Sequence, residues 1–203
     1  MTVNKINLQG DPSADLTINC DSETFRVHKY FLCSKSPVFS AMLTSGLRED
    51  REGEINIVGM RANTLLSMIN YIYTGELAEG WVDLDIEDMA EAADMYDLPG
   101  WMKLFCSKLR IEEEVTAEKV AEMIIVGSRY KDRAPWELME VARDKIREKR
   151  EITEDPVFRE MLREDPEVLL EFLAVMSVLE ECVKCDSVLN ECVNCGYDSD
   201  NSC

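Results

Sequence analysis

The chain has 203 residues, 46% of them hydrophobic and 31% charged, enough apolar material for one sizeable core or two small ones. Its formal net charge is −19, from 22 Lys and Arg against 41 Asp and Glu, which repels phosphate backbones and anionic lipid heads and argues against nucleic-acid or membrane partners. No apolar run is long enough to cross a bilayer and Met1 to Gly10 lacks the basic-then-apolar order of a signal peptide, so the eight cysteines point to a reducing compartment, cytoplasm or nucleus.

Residues 1 to 13 show weak periodicity and read as a short arm. Leu16, Ile18 and Cys20 alternate with Thr17 and Asn19, the pattern of a half-buried strand. Asp21 to Thr24 supplies a polar turn, and Phe25 and Val27 continue the alternation, so a hairpin is expected. Ser36-Pro37 starts a helix, since Ser36 can cap and Pro37 lacks an N–H where none is needed. Val38, Phe39, Met42 and Leu43 form its apolar stripe and Gly46 ends it. Ile55 and Ile57 alternate with Glu54 and Asn56 in a third strand. Asn63 is read as the cap of the next helix, which carries Leu65, Leu66, Ile69, Ile72 and Tyr73 and closes at Gly75. Ile86, Met89, Ala92, Ala93 and Tyr96 keep helical spacing as far as Leu98-Pro99, and Trp101 to Leu109 forms another helix.

Beyond Thr116 only helices are expected. Thr116, Pro135, Asp155-Pro156 and Asp165-Pro166 mark four starts, and the last stretch, VLLEFLAVMSVL, is apolar on nearly all sides and should be buried. The basic run Arg143 to Arg150 is interleaved with Asp144 and Glu148 and reads as a solvated helix face. Ile111 to Val115, rich in glutamate, is the expected junction between a mixed first unit and a helical second one. Cys20, Cys33 and Cys106 sit singly in apolar surroundings, as small core residues.

Five segments in order carry a family resemblance: Ala14-Asp15-Leu16-Thr17-Ile18, Phe25 to Leu32 (FRVHKYFL), Ser34 to Leu43 (SKSPVFSAML), Ile72-Tyr73-Thr74-Gly75, and Ala92 to Leu98 (AADMYDL). Together they resemble the BTB/POZ family, and among its members the speckle-type POZ proteins. The resemblance implies an α+β fold, a small sheet with helical hairpins at 14–111, followed by an all-α BACK-like or 3-box region at 112–179 and a cysteine-rich tail at 180–203. It also implies self-association with like or related BTB proteins and, in many members, binding to cullin-3, which sets a substrate protein beside a ubiquitin-charged enzyme. Leu47-Arg48-Glu49 has the hydrophobic–any–acidic pattern of the family's cullin contact, with Met42 beside it and Tyr73 and Tyr96 on the same edge. His28, the sole histidine, is expected to be structural, its ring bonded at the end of the first strand with Asp15 as partner. Members of this kind usually carry a separate substrate reader, a MATH domain or Kelch repeats. Thirteen residues precede Ala14, so the reader is expected to lie in the tail, to come from a partner or to be missing, the last making the chain a modulator of fuller relatives.

Cys182-Val183-Lys184-Cys185 and Cys192-Val193-Asn194-Cys195-Gly196 form two C-x-x-C pairs six residues apart. Two readings stand: a closed structural zinc site made by Cys182, Cys185, Cys192 and Cys195, or a tail of free thiols, since six residues is shorter than the usual spacer between zinc pairs. No other cofactor is expected. Catalysis is not expected either, for the sequence carries no G-x-S-x-G, no phosphate-cradling glycine loop and no H-E-x-x-H. The competing function is a BTB oligomerisation module in a transcriptional or cytoskeletal assembly.

Overall fold

A computed structural model describes residues 11–46, 48–130, 136–163, 167–168, 170, 172, 191–192 and 197–198. The fold is a small sheet set among helices, then a helical second unit. β1 (Leu16–Cys20) and β2 (Glu23–Val27) pair antiparallel, Leu16 opposite Val27 and Cys20 opposite Glu23. The turn is tighter than the polar run suggested. Only Asp21 and Ser22 lie between the strands, with Asp21 at φ +52°, a left-handed conformation that aspartate tolerates in two-residue hairpins. β3 (Glu54–Ile57) lies parallel to β1 on its other side, Ile18 opposite Ile55, so the order is β2-β1-β3. Period-two alternation buries Leu16, Ile18, Cys20, Phe25, Val27, Ile55 and Ile57 on one face.

The helices of the first unit are α1 (Lys29–Lys35), α2 (Pro37–Thr44), α3 (Arg48–Glu52), α4 (Ala62–Thr74), α5 (Ile86–Met95) and α6 (Pro99–Ile111). Their apolar stripes join the buried face of the sheet in one core cluster, to which they bring Phe39, Leu65, Met68, Ile69, Ile72, Ile86, Trp101 and Phe105, all buried, each contributing about 1.5–3 kcal/mol of transfer free energy. Ser36 Oγ accepts from the Phe39 N–H at 3.2 Å, capping α2 as its sequence indicated. The expected cap of α4 is corrected: Asn63 lies inside the helix, and the Ala62 N–H is taken instead by Asp21 Oδ2 at 3.0 Å, from the hairpin turn. Gly75 closes α4 at φ +75°. α3 was not expected; its five charged residues bury nothing, so no apolar period announces it.

The second unit contains α7 (Ala117–Arg129), α8 (Trp136–Glu148) and α9 (Pro156–Arg163). Thr116 Oγ1 caps α7 through the Lys119 N–H, and Asp155 Oδ1 caps α9 through the N–H groups of Val157 and Phe158. Pro135 and Asp165-Pro166 lie outside the described residues. In the apolar stretch that follows, Val168 and Phe172 are buried but Leu170 is 67% exposed, so the described part is two-sided rather than buried all round. Two lysines tie the units together. Lys119 Nζ donates to Leu84 O at 2.9 Å, and Lys145 Nζ donates to Arg110 O and Glu112 O, both at 2.9 Å. Lys145 is buried, which corrects the solvated-face reading of the basic run at that position. Among the described residues, no helix is long and apolar enough to cross a membrane.

Candidate partner-binding surface

The residues expected to grip a partner fall in different places. Met42 is half-buried on α2 and packs against the core. Leu47 lies outside the described residues. Glu49 sits in the first turn of α3, half-exposed; its backbone carbonyl accepts from the Gly53 N–H at 3.0 Å, and its carboxylate takes no hydrogen bond among the described residues. Asp50 anchors this segment. Its Oδ2 accepts from the Gly46 N–H at 3.2 Å, and Lys29 Nζ lies 3.5 Å from its Oδ1, so α3 is pinned to α1.

Tyr96 is a correction. It is 4% exposed, its ring is stacked on Phe39 at 4.5 Å and 16°, and its carbonyl accepts from Ser36 Oγ at 2.5 Å. It holds α2 against the end of α5 and offers a partner almost no surface. Burial pushes its hydroxyl above the usual tyrosine value.

Tyr73 is half-buried and its hydroxyl is committed within the fold. Its Oη accepts the backbone N–H of His28 at 2.7 Å and lies 2.9 Å from His28 Nδ1. The Ser13 hydroxyl gives its one hydrogen to Asp11, so toward Nε2 it accepts; the hydrogen of a neutral imidazole then lies on Nε2, and Nδ1 is left to accept the tyrosine proton. Nε2–H then donates to Ser13 Oγ at 2.8 Å, and the Ser13 hydroxyl donates to Asp11 Oδ1 at 2.6 Å. The Asp11 carboxyl is held below the usual carboxylate range, by the Ser13 hydroxyl first, then the Ser13 N–H. Asp15, the partner expected for the His28 ring, instead accepts the Lys29 N–H at 2.8 Å through Oδ1 and caps α1. Serine, histidine and aspartate meet here, yet Asp11 bonds the serine rather than the far ring nitrogen. That nitrogen faces Tyr73, while the Asp11 carboxylate lies on the serine side of the ring, its Oδ2 3.7 Å from Nε2. The chain of bonds docks residues 11–13 onto the sheet and α4.

The same neighbourhood exposes a surface the sequence reading missed. Tyr30 is 76% exposed and Phe31 38%. Their rings make an edge-on pair at 5.6 Å, and Phe31 stacks on Tyr73 at 4.5 Å. The signal was present: α1 has room to bury only Leu32, so the adjacent Tyr30-Phe31 exceeds what the core can take. A second apolar patch, Val58 and Met95, flanks a shallow groove with Met60, Asp88 and Glu91.

Of the cysteines named for a metal, Cys182, Cys185 and Cys195 lie outside the described residues, as does the side chain of Cys192. Cys20, Cys33 and Cys106 are free thiols, and burial pushes the Cys106 thiol up to about 12.

A family model described as BTB/POZ domain matches residues 3–113, more than half of the chain. Protein maternal effect lethal 26 of Caenorhabditis elegans is 34% identical over 121 residues, 57% of this chain and 29% of that protein. Kelch-like protein 26 of Danio rerio is 38% identical over 80 residues, 39% of this chain and 13% of that protein. The chain thus spans a minor part of the length of these curated relatives. The BTB domain of human gigaxonin superposes with a TM-score of 0.39 at 22% identity, covering 48% of this chain and 79% of that domain.

Proposed function

The chain belongs to the BTB/POZ domain family, a protein-interaction fold, and on that premise we propose that it serves as a substrate adaptor or modulator of a cullin-3 ubiquitin ligase, in the cytoplasm or nucleus. The observation that carries this reading is the setting of Leu47-Arg48-Glu49, between the end of α2 and the first turn of α3. A short helix pinned by Asp50 presents Glu49 half-exposed, two residues after Leu47 in sequence, while Met42 is half-buried on the preceding helix α2. Leu47 would fill an apolar pocket of the partner, where full burial contributes about 1.5–3 kcal/mol, and Glu49 would accept its hydrogen bonds.

The exposed Tyr30 and Phe31 supply a second surface, suited to self-association or pairing with related BTB proteins, because aromatic rings carry large contact area at low entropy cost. That patch favours the competing reading as well, oligomerisation without ligase function. The two separate experimentally. Leu47→Asp combined with Glu49→Ala should abolish capture of cullin-3 while the variant melts like wild type and keeps its oligomeric state. Wild-type chain that self-associates but never captures cullin-3 would leave the oligomerisation reading standing alone.

A further inference from the structure

The groove between the end of β3 and α5 plays no part in the adaptor reading. The sheet order places β3 at an edge, so its outer side pairs with no strand among the described residues. The chain leaves that strand through Val58 and Gly59, whose main-chain N–H and C=O groups make no hydrogen bond among the described residues. Gly59 stands at φ +84°, and a side chain added there would meet nothing within 4 Å, so the space above it is open. The floor of the groove is apolar and buried, made by Ile57, Met60 and Ala92. Its walls are apolar and exposed, Val58 at 90% and Met95 at 59%. Single exposed hydrophobics are ordinary. Two of them across a buried apolar floor, beside an open strand edge, make a seat for an apolar side chain on an extended chain.

The rim is acidic. Asp88 and Glu91 line it, and α5 also carries Glu87 and Asp94, with no Lys or Arg of its own. Arg61 pairs with Asp85 and Asp88, both at 2.7 Å, and Arg129 pairs with Glu87 at 2.6 Å. Glu91 meets no cation among the described residues; it accepts from the Tyr130 hydroxyl at 3.2 Å. Neighbouring groups register the surplus of negative charge. The Asp88 carboxyl is pushed above the usual aspartate value, by burial first, with Asp85 and Glu91 adding to it against the opposing Arg61. The Tyr130 hydroxyl is pushed up to about 12, by burial first and then by Glu91, Glu87 and Asp94.

We infer that this groove binds an extended segment of a partner protein in which apolar residues are flanked by Lys or Arg. The main chain of the segment adds along Val58 and Gly59, its apolar side chain sits between Val58 and Met95, and its cation reaches Glu91. The same rim repels acidic segments and polyanions. The groove shares no residue with the α2–α3 junction or with the Tyr30 and Phe31 pair, so it neither needs the cullin-3 reading nor supports it.

The test uses the full chain and a fluorescein-labelled peptide, KRVLVKR, with DEVLVED as its acidic counterpart, read by fluorescence anisotropy. The basic peptide should bind and the acidic one should not. The whole chain carries a net charge of −19, so bulk attraction has to be separated from the groove. Val58→Asp does this. It adds a negative charge, which would strengthen bulk attraction, but it spoils an apolar wall, so affinity should fall about tenfold or more. Val58 is exposed, and the variant should melt like wild type. Met95→Ala, which leaves the charge alone, should also weaken binding, and Glu91→Gln should weaken it about two- to fivefold. No binding of the basic peptide, equal binding of both peptides, or binding kept or strengthened in Val58→Asp would each overturn the inference. Self-association abolished by Val58→Asp would make a second copy the occupant and overturn it as well.

Discussion

Replacing Lys145 by methionine tests how the two units are held together. The Lys145 side chain is 6% exposed, and its ammonium donates to Arg110 O and Glu112 O at 2.9 Å and meets Glu148 Oε2 at 3.1 Å. Those carbonyls lie at the C-terminal end of α6, where the helix leaves its acceptors unpaired and its dipole favours a cation. Methionine keeps most of the stem volume, so no large cavity opens. What is lost is two charge-assisted bonds, each worth about 1.5–3 kcal/mol net, and a dipole interaction of about 0.3–1 kcal/mol. Against this stands relief from burying an ammonium, several kcal/mol in effective terms when the charge is poorly compensated. Three acceptors satisfy this one, so the relief is partial, and a net loss of about 2–3 kcal/mol is expected. In a domain of this size that lowers the melting temperature by roughly 5–10 °C. Glu148→Ala, which removes only the exposed partner, should cost less than about 1 kcal/mol. Thermal and urea melts of the two variants decide it. Lys145→Met melting within about 1 °C of wild type, or above it, would show that the buried ammonium is no net tie.

Three further outcomes are expected. His28→Ala should lower stability by about 1–2 kcal/mol, since it strips partners from Tyr73 Oη and Ser13 Oγ, and Tyr73→Phe should cost about 1 kcal/mol through the orphaned His28 N–H; wild-type melts in both would remove the docking role. Asp85 caps α5 and pairs with Arg61 at 2.7 Å; burial pushes its carboxyl up, but the Asp88 N–H and the guanidinium outweigh it and hold the value below the usual range. A depressed folded value means that the stabilisation is complete above the unfolded value, about pH 4, and is lost as pH falls through the folded one, so the roughly 1 kcal/mol cost of Asp85→Ala at neutral pH should shrink toward pH 3 in urea melts. Gly127→Ala should destabilise although alanine is the better helix former by about 1 kcal/mol, because the added carbon falls 2.7 Å from Met139 Cγ; in a Met139→Ala background the sign should reverse.

The features legible in the sequence are those whose cause is local. Ser36-Pro37, Thr116, Asp155-Pro156 and Gly75 act within one turn of their helices, and the pleat of Leu16, Ile18 and Cys20 is a period of two, so each announces itself without the rest of the chain. The corrections at Asn63, His28, Tyr96 and Lys145 each involve a partner far away in sequence. Asp21 displaces Asn63 as the cap of α4 because the hairpin turn lies against that helix start, and Ser13 and Tyr73 displace Asp15 at His28 because Asp15 finds the end of α1 first. The candidate site divides along the same line. Whether a residue at helical spacing faces the core or a partner depends on what stands opposite it. Tyr96 and Tyr73 are both aromatic and near helix ends, yet one stacks fully inside on Phe39 while the other backs an exposed pair on α1. The useful sequence signal is therefore a surplus. α1 carries Tyr30, Phe31 and Leu32 and buries only Leu32, so Tyr30 and Phe31 keep apolar surface exposed among the described residues. A second molecule offering the same aromatic pair would cover it symmetrically, the arrangement that the proposed self-association predicts.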